Sequence, residues 1–246
     1  MINREIIYVQ YGLRNLNLLA ESMRIIRNHD KNIPIVLWHD DKTGEKYFQR
    51  FKAEPFNIRL ISYERKEYDT REANRNNDLM KLIALRRNTA DAAAYLDGDI
   101  FITDWPAFCD GFDIAQHWGL ALPLNSRIFL ERELEIAADV STHDREIMRY
   151  EPKHMTAYNM GVIFYSKFGL ERTTDFLNSM IIEQAEHPSR GPMAVVRTMI
   201  KNGDFVPYTL PLQWLVCAGD EYISHPICLH VGHKEIMKWW EREFKK

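Results

Sequence analysis

Residues 95–103 read Tyr95-Leu96-Asp97-Gly98-Asp99-Ile100-Phe101-Ile102-Thr103, an apolar, strand-like run fed by Ala92-Ala93-Ala94 and interrupted by two carboxylates. Ionised carboxylates are almost never buried without a partner, because desolvation costs several kcal/mol per charge. Either the strand ends here or a cation sits against it. In an extended strand, residues i and i+2 project to the same side, so Asp97 and Asp99 can address one point in space. Gly98 between them lets backbone or ligand approach closely. Two carboxylates offer hard oxygen ligands to Mn²⁺ or Mg²⁺. By spacing alone, a solvated pair at a strand end fits as well.

Upstream, the pattern is strand and helix in alternation. Ile6-Ile7-Tyr8-Val9 is a short β-rich run, and Leu16, Leu19, Met23 and Ile26 then recur at three- and four-residue steps, one face of a helix. Residues 33–38 (IPIVLW) and 58–62 (IRLIS) predict two more strands, with residues 43–52 helical between them. A polar stretch, 64–77, leads to Asp78, which is suited to cap the helix carrying Leu79, Leu82 and Ile83, with Lys81 on another face. This order predicts an α/β doubly wound sheet, parallel in its first half. In such sheets ligands bind beyond the C-terminal ends of strands, near a switch in strand order. The Asp-Gly-Asp sits late in its strand, where that rule places a ligand.

Downstream, residues 119–124 and 158–165 predict strands, and 126–149, 169–184 and 193–201 predict helices. Residues 207–214 are extended, and the tail KEIMKWWEREFKK is amphipathic, with Trp239 and Trp240 expected in the core. A membrane-surface role for this tail is the lesser reading. With 246 residues, no repeat and no linker, the chain predicts a single domain over 1–246 with two lobes, about 1–105 and about 106–246. The net charge of −3 gives no basic surface for nucleic acid. Cys109, Cys217 and Cys228 lack the paired spacing of a zinc site and are odd in number, which fits reduced thiols. The apolar run near the start is too short for a signal peptide or a membrane span, so a cytoplasmic location is expected.

An apolar strand ending in YLDGD about a hundred residues into the chain resembles the GT-A-fold glycosyltransferases, closest to the glycogenin and lipopolysaccharide galactosyltransferase group. Lys81 lies on the helix before that strand, where many of these enzymes carry a basic residue near the donor phosphates. Asn159-Met160-Gly161-Val162 is similar to the N-x-G-V strand beside the sugar pocket. Leu210-Pro211-Leu212-Gln213-Trp214, followed by His230-Val231-Gly232-His233-Lys234, resembles the segment that brings a third metal ligand and a phosphate-binding lysine. The motifs occur in the family's order over most of the chain. The final motif is tighter than the group's H-x-x-G-x-x-K-P-W, and Arg190-Gly191-Pro192-Met193 occupies the region of the group's Asp-Gln pair, which lies near the anomeric carbon in retaining members.

The resemblance implies a metal-dependent transfer of sugar from a nucleoside-diphosphate sugar, UDP-sugar ahead of others, to a glycan or other hydroxyl acceptor, with retention ahead of inversion. It implies Asp99 and His230 as ligands of Mn²⁺ or Mg²⁺, Asp97 as a second carboxylate ligand or a ribose contact, and His233 as the alternative to His230 or as a phosphate contact. Lys234 and Lys81 would hold the diphosphate, and Asn159 and Gly161 would face the sugar. Tyr11 is placed to stack on the base, and Asp40 to accept bonds from base or ribose. Each has a plain alternative: a packing tyrosine, a turn-forming aspartate, solvated lysines, a strand-end histidine. Residues 126–156, with Arg132, Glu133, His143, Asp144, Arg145 and His154, are polar enough to receive an acceptor.

Two other readings compete. A haloacid-dehalogenase-type phosphatase uses an apolar strand followed by D-x-D-x-T/V; here Phe101 stands at the last position, three strands precede the motif, and Gly219-Asp220-Glu221 imitates a downstream acidic motif. A nucleotide-sugar- or carbohydrate-binding domain without activity is the other, kept open by the missing Asp-Gln pair.

Overall fold

The computed structural model describes residues 2–53, 55–64, 70–125, 158–169, 173–186, 206–217, 220, 223–232 and 234–245. The chain begins with β1 (Arg4–Gln10), α1 (Leu16–His29), β2 (Ile35–Asp40), β3 (Arg59–Tyr63), α2 (Thr70–Arg86) and β4 (Ala92–Leu96). It continues through β5 (Ile100–Ile102), α3 (Trp105–Trp118), β6 (Leu120–Pro123), β7 (Val162–Ser166), α4 (Thr173–Glu186), β8 (Tyr208–Leu210), β9 (Cys228–His230) and α5 (Lys234–Glu243). Seven strands form one mixed sheet in the order β3-β2-β1-β4-β7-β6-β8, and β5 and β9 form a separate antiparallel pair. Strands β3, β2, β1 and β4 are mutually parallel; β7 runs antiparallel to β4 and β6.

Two apolar layers sandwich the large sheet, and strand alternation decides which residue enters which. Ile6 and Tyr8 face a layer that includes Leu19 and Met23 of α1, Phe108 and Phe112 of α3, and Trp240 of α5. Ile7 and Val9 face the opposite layer, with Leu82 and Leu85 of α2 and Phe176 and Leu177 of α4. Helices on both faces explain why the strands are apolar throughout instead of alternating. Local signals set the helix ends. Asp104 caps α3 by accepting from the Ala107 N–H, with Pro106 in the first turn, and Gly119 at φ 89° ends it. Close packing fixes the face of α3: a Cβ on Gly111 would lie 2.4 Å from the Phe164 ring. A buried relay, in which Tyr8 Oη meets Ser22 Oγ at 2.7 Å and Ser22 Oγ donates to the Ile100 carbonyl at 2.6 Å, ties β1, α1 and β5 together.

Several expectations change. Residues 43–52 form two single 3₁₀ turns, Glu45–Tyr47 and Gln49–Phe51, instead of an α-helix. Gly44 enters them at φ 84°, and the two fully buried rings, Phe48 and Phe51, are three residues apart, the 3₁₀ repeat. Helix α2 starts at Thr70, so Asp78 lies in mid-helix and caps nothing; Arg71, Glu72 and Ala73 are good enough helix formers to extend it upstream. The strand expected over 158–165 begins only at Val162, because the Asn159 side chain accepts from the Gly161 N–H at 2.9 Å and turns the chain. Tyr158 keeps a single bridge to Leu124. The strand through YLDGDIFIT is divided: Asp97 to Asp99 form a turn, closed by the Ile100 N–H on the Asp97 carbonyl at 3.1 Å, and β4 and β5 belong to different sheets. The helices expected over 126–149 and 193–201 lie outside the described residues.

The amphipathic tail is helix α5, with Trp240 buried edge-to-face on Phe101 at 5.0 Å and Trp239 half-buried. All three cysteines are free. Among the described residues no helix is long and apolar enough to cross a membrane.

Candidate functional site

The parallel strands β1 and β4 are neighbours, yet the chain leaves β1 toward β2 on one side and reaches β4 on the other. That reversal opens a crevice at their C-terminal ends, the place where ligands bind in open α/β sheets. A cavity of about 660 Å³ fills it, lined by residues 9–15 at the end of β1 and beyond it, by Asp78 and Lys81 of α2, by Asp97, Gly98 and Asp99 after β4, and by His230.

The β5–β9 pairing delivers His230. Ile100 stands opposite His230, and the Val231 N–H donates to the Asp99 carbonyl at 2.9 Å. The His230 Nε2 and Asp99 Oδ2 atoms are 3.3 Å apart. Gly232 makes room for this carboxylate, since a Cβ there would lie 2.3 Å from Asp99 Oδ2. Burial alone would lower the pKa of His230; hydrogen bonds to Asp99 and Cys217 and the Asp99 charge outweigh it and push the value up to about 10.

Asp97 faces a different partner. Its Oδ1 accepts a hydrogen bond from the Tyr95 hydroxyl and lies 3.5 Å from Lys81 Nζ. Lys81 also reaches Asp78 Oδ1 at 3.0 Å, one helical turn away, and is almost fully buried. Burial disfavours its charge, but the Asp97 and Asp78 carboxylates more than compensate, so its pKa is raised. The Asp97 N–H donates to the Gly161 carbonyl at 2.8 Å, which holds the Asn159–Gly161 turn against Asp97.

The loop after β1 is shaped from beneath. The Gln10 side-chain amide donates to the carbonyls of Gly12 at 3.1 Å and Arg14 at 2.8 Å. Asp40, fully buried, accepts from the Gly12 N–H at 2.8 Å and from the Thr43 N–H and hydroxyl at 2.8 and 2.6 Å. Asp40, expected to touch base or ribose, is therefore turned into the protein and does not line the cavity. Tyr11 does line it. Lys234 is exposed at the start of α5 and is not among the lining residues, and His233 lies outside the described residues.

The structure thus gathers Tyr11, Lys81, Asp97, Asp99 and His230 at one cavity, with Asn159 and Gly161 behind Asp97. Among the described residues, no group of three His, Cys, Asp or Glu side chains surrounds a single point. The Asp99–His230 pair nevertheless suits a hard divalent cation: with bonds of about 2.1 Å, neighbouring ligands of an octahedral ion lie about 3 Å apart. Three further participants come from the structure. Asp78 was legible as an i,i+3 partner of Lys81. Tyr95 was legible too, two residues before Asp97 and on the same side of an extended strand, whereas Cys217 carries no local signal, because its contacts form only where distant segments meet in the fold.

No protein-family model and no curated protein matches the chain. Solved structures do. The apo-form glycosyltransferase GlyE of Streptococcus pneumoniae TIGR4 superposes with a TM-score of 0.60 at 15% identity, over 97% of this chain and 59% of GlyE. The galactosyltransferase LgtC, in complex with donor and acceptor sugar analogues, gives 0.60 at 12% identity, over 96% of this chain and 91% of LgtC. The bifunctional glycosyltransferase WbbM gives 0.54 at 13% identity, over 95% of this chain and 46% of WbbM. The chain spans less than two thirds of GlyE and WbbM but nearly the whole of LgtC. At such identities the common property is the architecture: the chain has the GT-A glycosyltransferase fold.

Proposed function

We propose that the chain is a metal-dependent glycosyltransferase that moves a sugar from a nucleoside-diphosphate sugar, UDP-sugar foremost, to a glycan or other hydroxyl acceptor. The observation that carries this reading is the convergence of Asp99, His230, Asp97 and Lys81 on one cavity at the reversal of strand order. Asp99 and His230 would hold Mn²⁺ or Mg²⁺, whose Lewis acidity would stabilise charge on the departing diphosphate. Asp97, restrained by Tyr95 and Lys81, supplies a second carboxylate at the same turn. Lys81 offsets the negative charge that three aspartates bring to the cavity. The Tyr11 ring offers a stacking surface to a base at the open side. Asn159 and Gly161 set the position of Asp97 next to the transferred sugar. Lys234, two residues beyond Gly232, would meet the diphosphate as a point charge. Retention of anomeric configuration is favoured by the resemblance, and the Arg190–Met193 stretch that bears on it lies outside the described residues, as do the acceptor-side residues 126–156.

Donor cleavage tests the reading. With Mn²⁺, the purified protein is expected to release nucleoside diphosphate from at least one nucleotide sugar, by slow hydrolysis even without acceptor. Release of inorganic phosphate from phosphate monoesters, with nucleotide sugars left intact, would instead establish the phosphatase alternative. Donor binding with no cleavage of any nucleotide sugar would establish an inactive binding domain.

A further inference from the structure

Behind the histidine lies a buried thiol that none of the roles above uses. Cys217 Sγ is 3.8 Å from His230 Nδ1, the ring nitrogen on the far side from Asp99, and accepts a hydrogen bond from Asn159 Nδ2 at 3.3 Å. We infer that Cys217 is a positioning residue for His230: its sulfur receives the Nδ1–H and so holds the imidazole with Nε2 turned toward Asp99. The inference rests on the reading of Asp99 and His230 as cation ligands.

The backbone around the sulfur is fixed independently of it. The Val216 N–H donates to the Cys228 carbonyl at 3.0 Å, and the His230 N–H to the Val216 carbonyl at 2.9 Å. The Cys217 carbonyl accepts from the Asp220 N–H at 3.1 Å. Cys217 itself is buried, so its sulfur has one place to be. Sulfur suits the gap: its contacts here are 3.3 and 3.8 Å, whereas a hydroxyl oxygen forms hydrogen bonds at about 2.9 Å and could satisfy one neighbour but not both.

The thiol also completes a circuit. The Asp97 N–H binds the Gly161 carbonyl, the Gly161 N–H binds Asn159 Oδ1, and Asn159 Nδ2 binds Cys217 Sγ. Cys217 then meets His230, whose Nε2 meets Asp99. Both ends of the Asp-Gly-Asp turn are thus joined through protein contacts that pass through one sulfur. Ligating histidines nearly always donate their second ring N–H to a fixed acceptor, and loss of that acceptor typically costs about ten- to a hundredfold in metal affinity.

The test is Mn²⁺ binding by the full chain without nucleotide, read from the electron paramagnetic resonance signal of free Mn²⁺. Cys217→Ala and Cys217→Val are both expected to weaken binding by about tenfold or more. Cys217→Ser, which keeps an acceptor at shorter reach, is expected to recover part of the loss. Valine restores the volume without the acceptor, so wild-type affinity in Cys217→Val would show that only packing matters and overturn the inference. It is overturned equally if Cys217→Ser is no better than Cys217→Val, or if His230→Ala loses Mn²⁺ while Cys217→Ala and Cys217→Val bind it normally. If the wild-type chain binds Mn²⁺ only with UDP present, the same comparison is made with UDP; absence of saturable Mn²⁺ binding in both conditions would overturn the cation reading itself, and this inference with it. If Cys217→Ala fails to fold, the comparison of the serine and valine variants still decides.

Discussion

Asp99→Asn is expected to lower nucleotide-sugar cleavage by at least about a hundredfold while leaving the unfolding midpoint in EDTA within a few degrees of wild type. Asparagine keeps the shape and the space beside Gly232, and it still offers His230 Nε2 a carbonyl oxygen. What it removes is the negative charge, and with it the means by which Asp99 would hold a divalent cation beside the His230 ring. Lewis-acid assistance is typically worth several kcal/mol, and each 1.4 kcal/mol is about a factor of ten in rate. The variant also removes the charge that helps raise the His230 pKa, but the ring can give up its proton and keep a hydrogen bond to the asparagine, and the unfolding midpoint is the control that separates stability from cleavage. Near-normal cleavage by this variant at low Mn²⁺ would remove Asp99 from the site.

Lys81→Met is expected to act in the opposite sense, through the fold first. The methionine fills the space of the lysine stem, but Asp78 and Asp97 lose the cation that lies 3.0 and 3.5 Å from them. Removing one partner of a buried ion pair costs about 3–5 kcal/mol, because the other is left uncompensated. Asp78 and Asp97 retain access to water, with 24% and 29% of their side chains exposed, so the expected loss falls below that range, about 2–3 kcal/mol. Denaturant unfolding at neutral pH measures it. Adding Asp78→Asn and Asp97→Asn to Lys81→Met should restore much of the stability, since the uncompensated charges are then gone. A triple variant as unstable as the single one would show that packing, not charge, explains the loss.

Much of the first half of the fold was legible because each element carries its own signal. The 3.6-residue recurrence from Leu16 to Ile26, the unbroken apolar runs at Ile6–Val9 and Ile35–Trp38, and Asp40 at a strand end all survive in the structure. The doubly wound order follows from those elements, and the site follows from the strand-order rule. What the sequence hid was decided by long-range pairing. Asp97 and Asp99 look like two same-side residues of one strand, but β5 leaves the main sheet to pair with β9, and the two side chains take different partners. The same pairing that misled the local reading brings His230 beside Asp99 from 131 positions away in the chain, which no local pattern could announce. Asp40 misled for a related reason: a carboxylate after a parallel strand suits a ligand, but the Gly12 amide and Thr43 reached it first. Asp78 was read as a cap because the polar stretch before it hid a helix already under way.

The central claim is that a nucleoside diphosphate enters the cavity between β1 and β4 together with a divalent cation held by Asp99 and His230. Thermal unfolding of the full chain with UDP, in Mn²⁺ and again in EDTA, tests it most directly. A ligand that binds only the native state stabilises by about 2.7 kcal/mol at a hundredfold excess over Kd. A clear rise in unfolding temperature is expected with UDP and Mn²⁺ together, little with UDP in EDTA, and loss of the Mn²⁺-dependent rise in His230→Ala. Equal stabilisation by UDP in EDTA and in Mn²⁺, unchanged in His230→Ala, would contradict it.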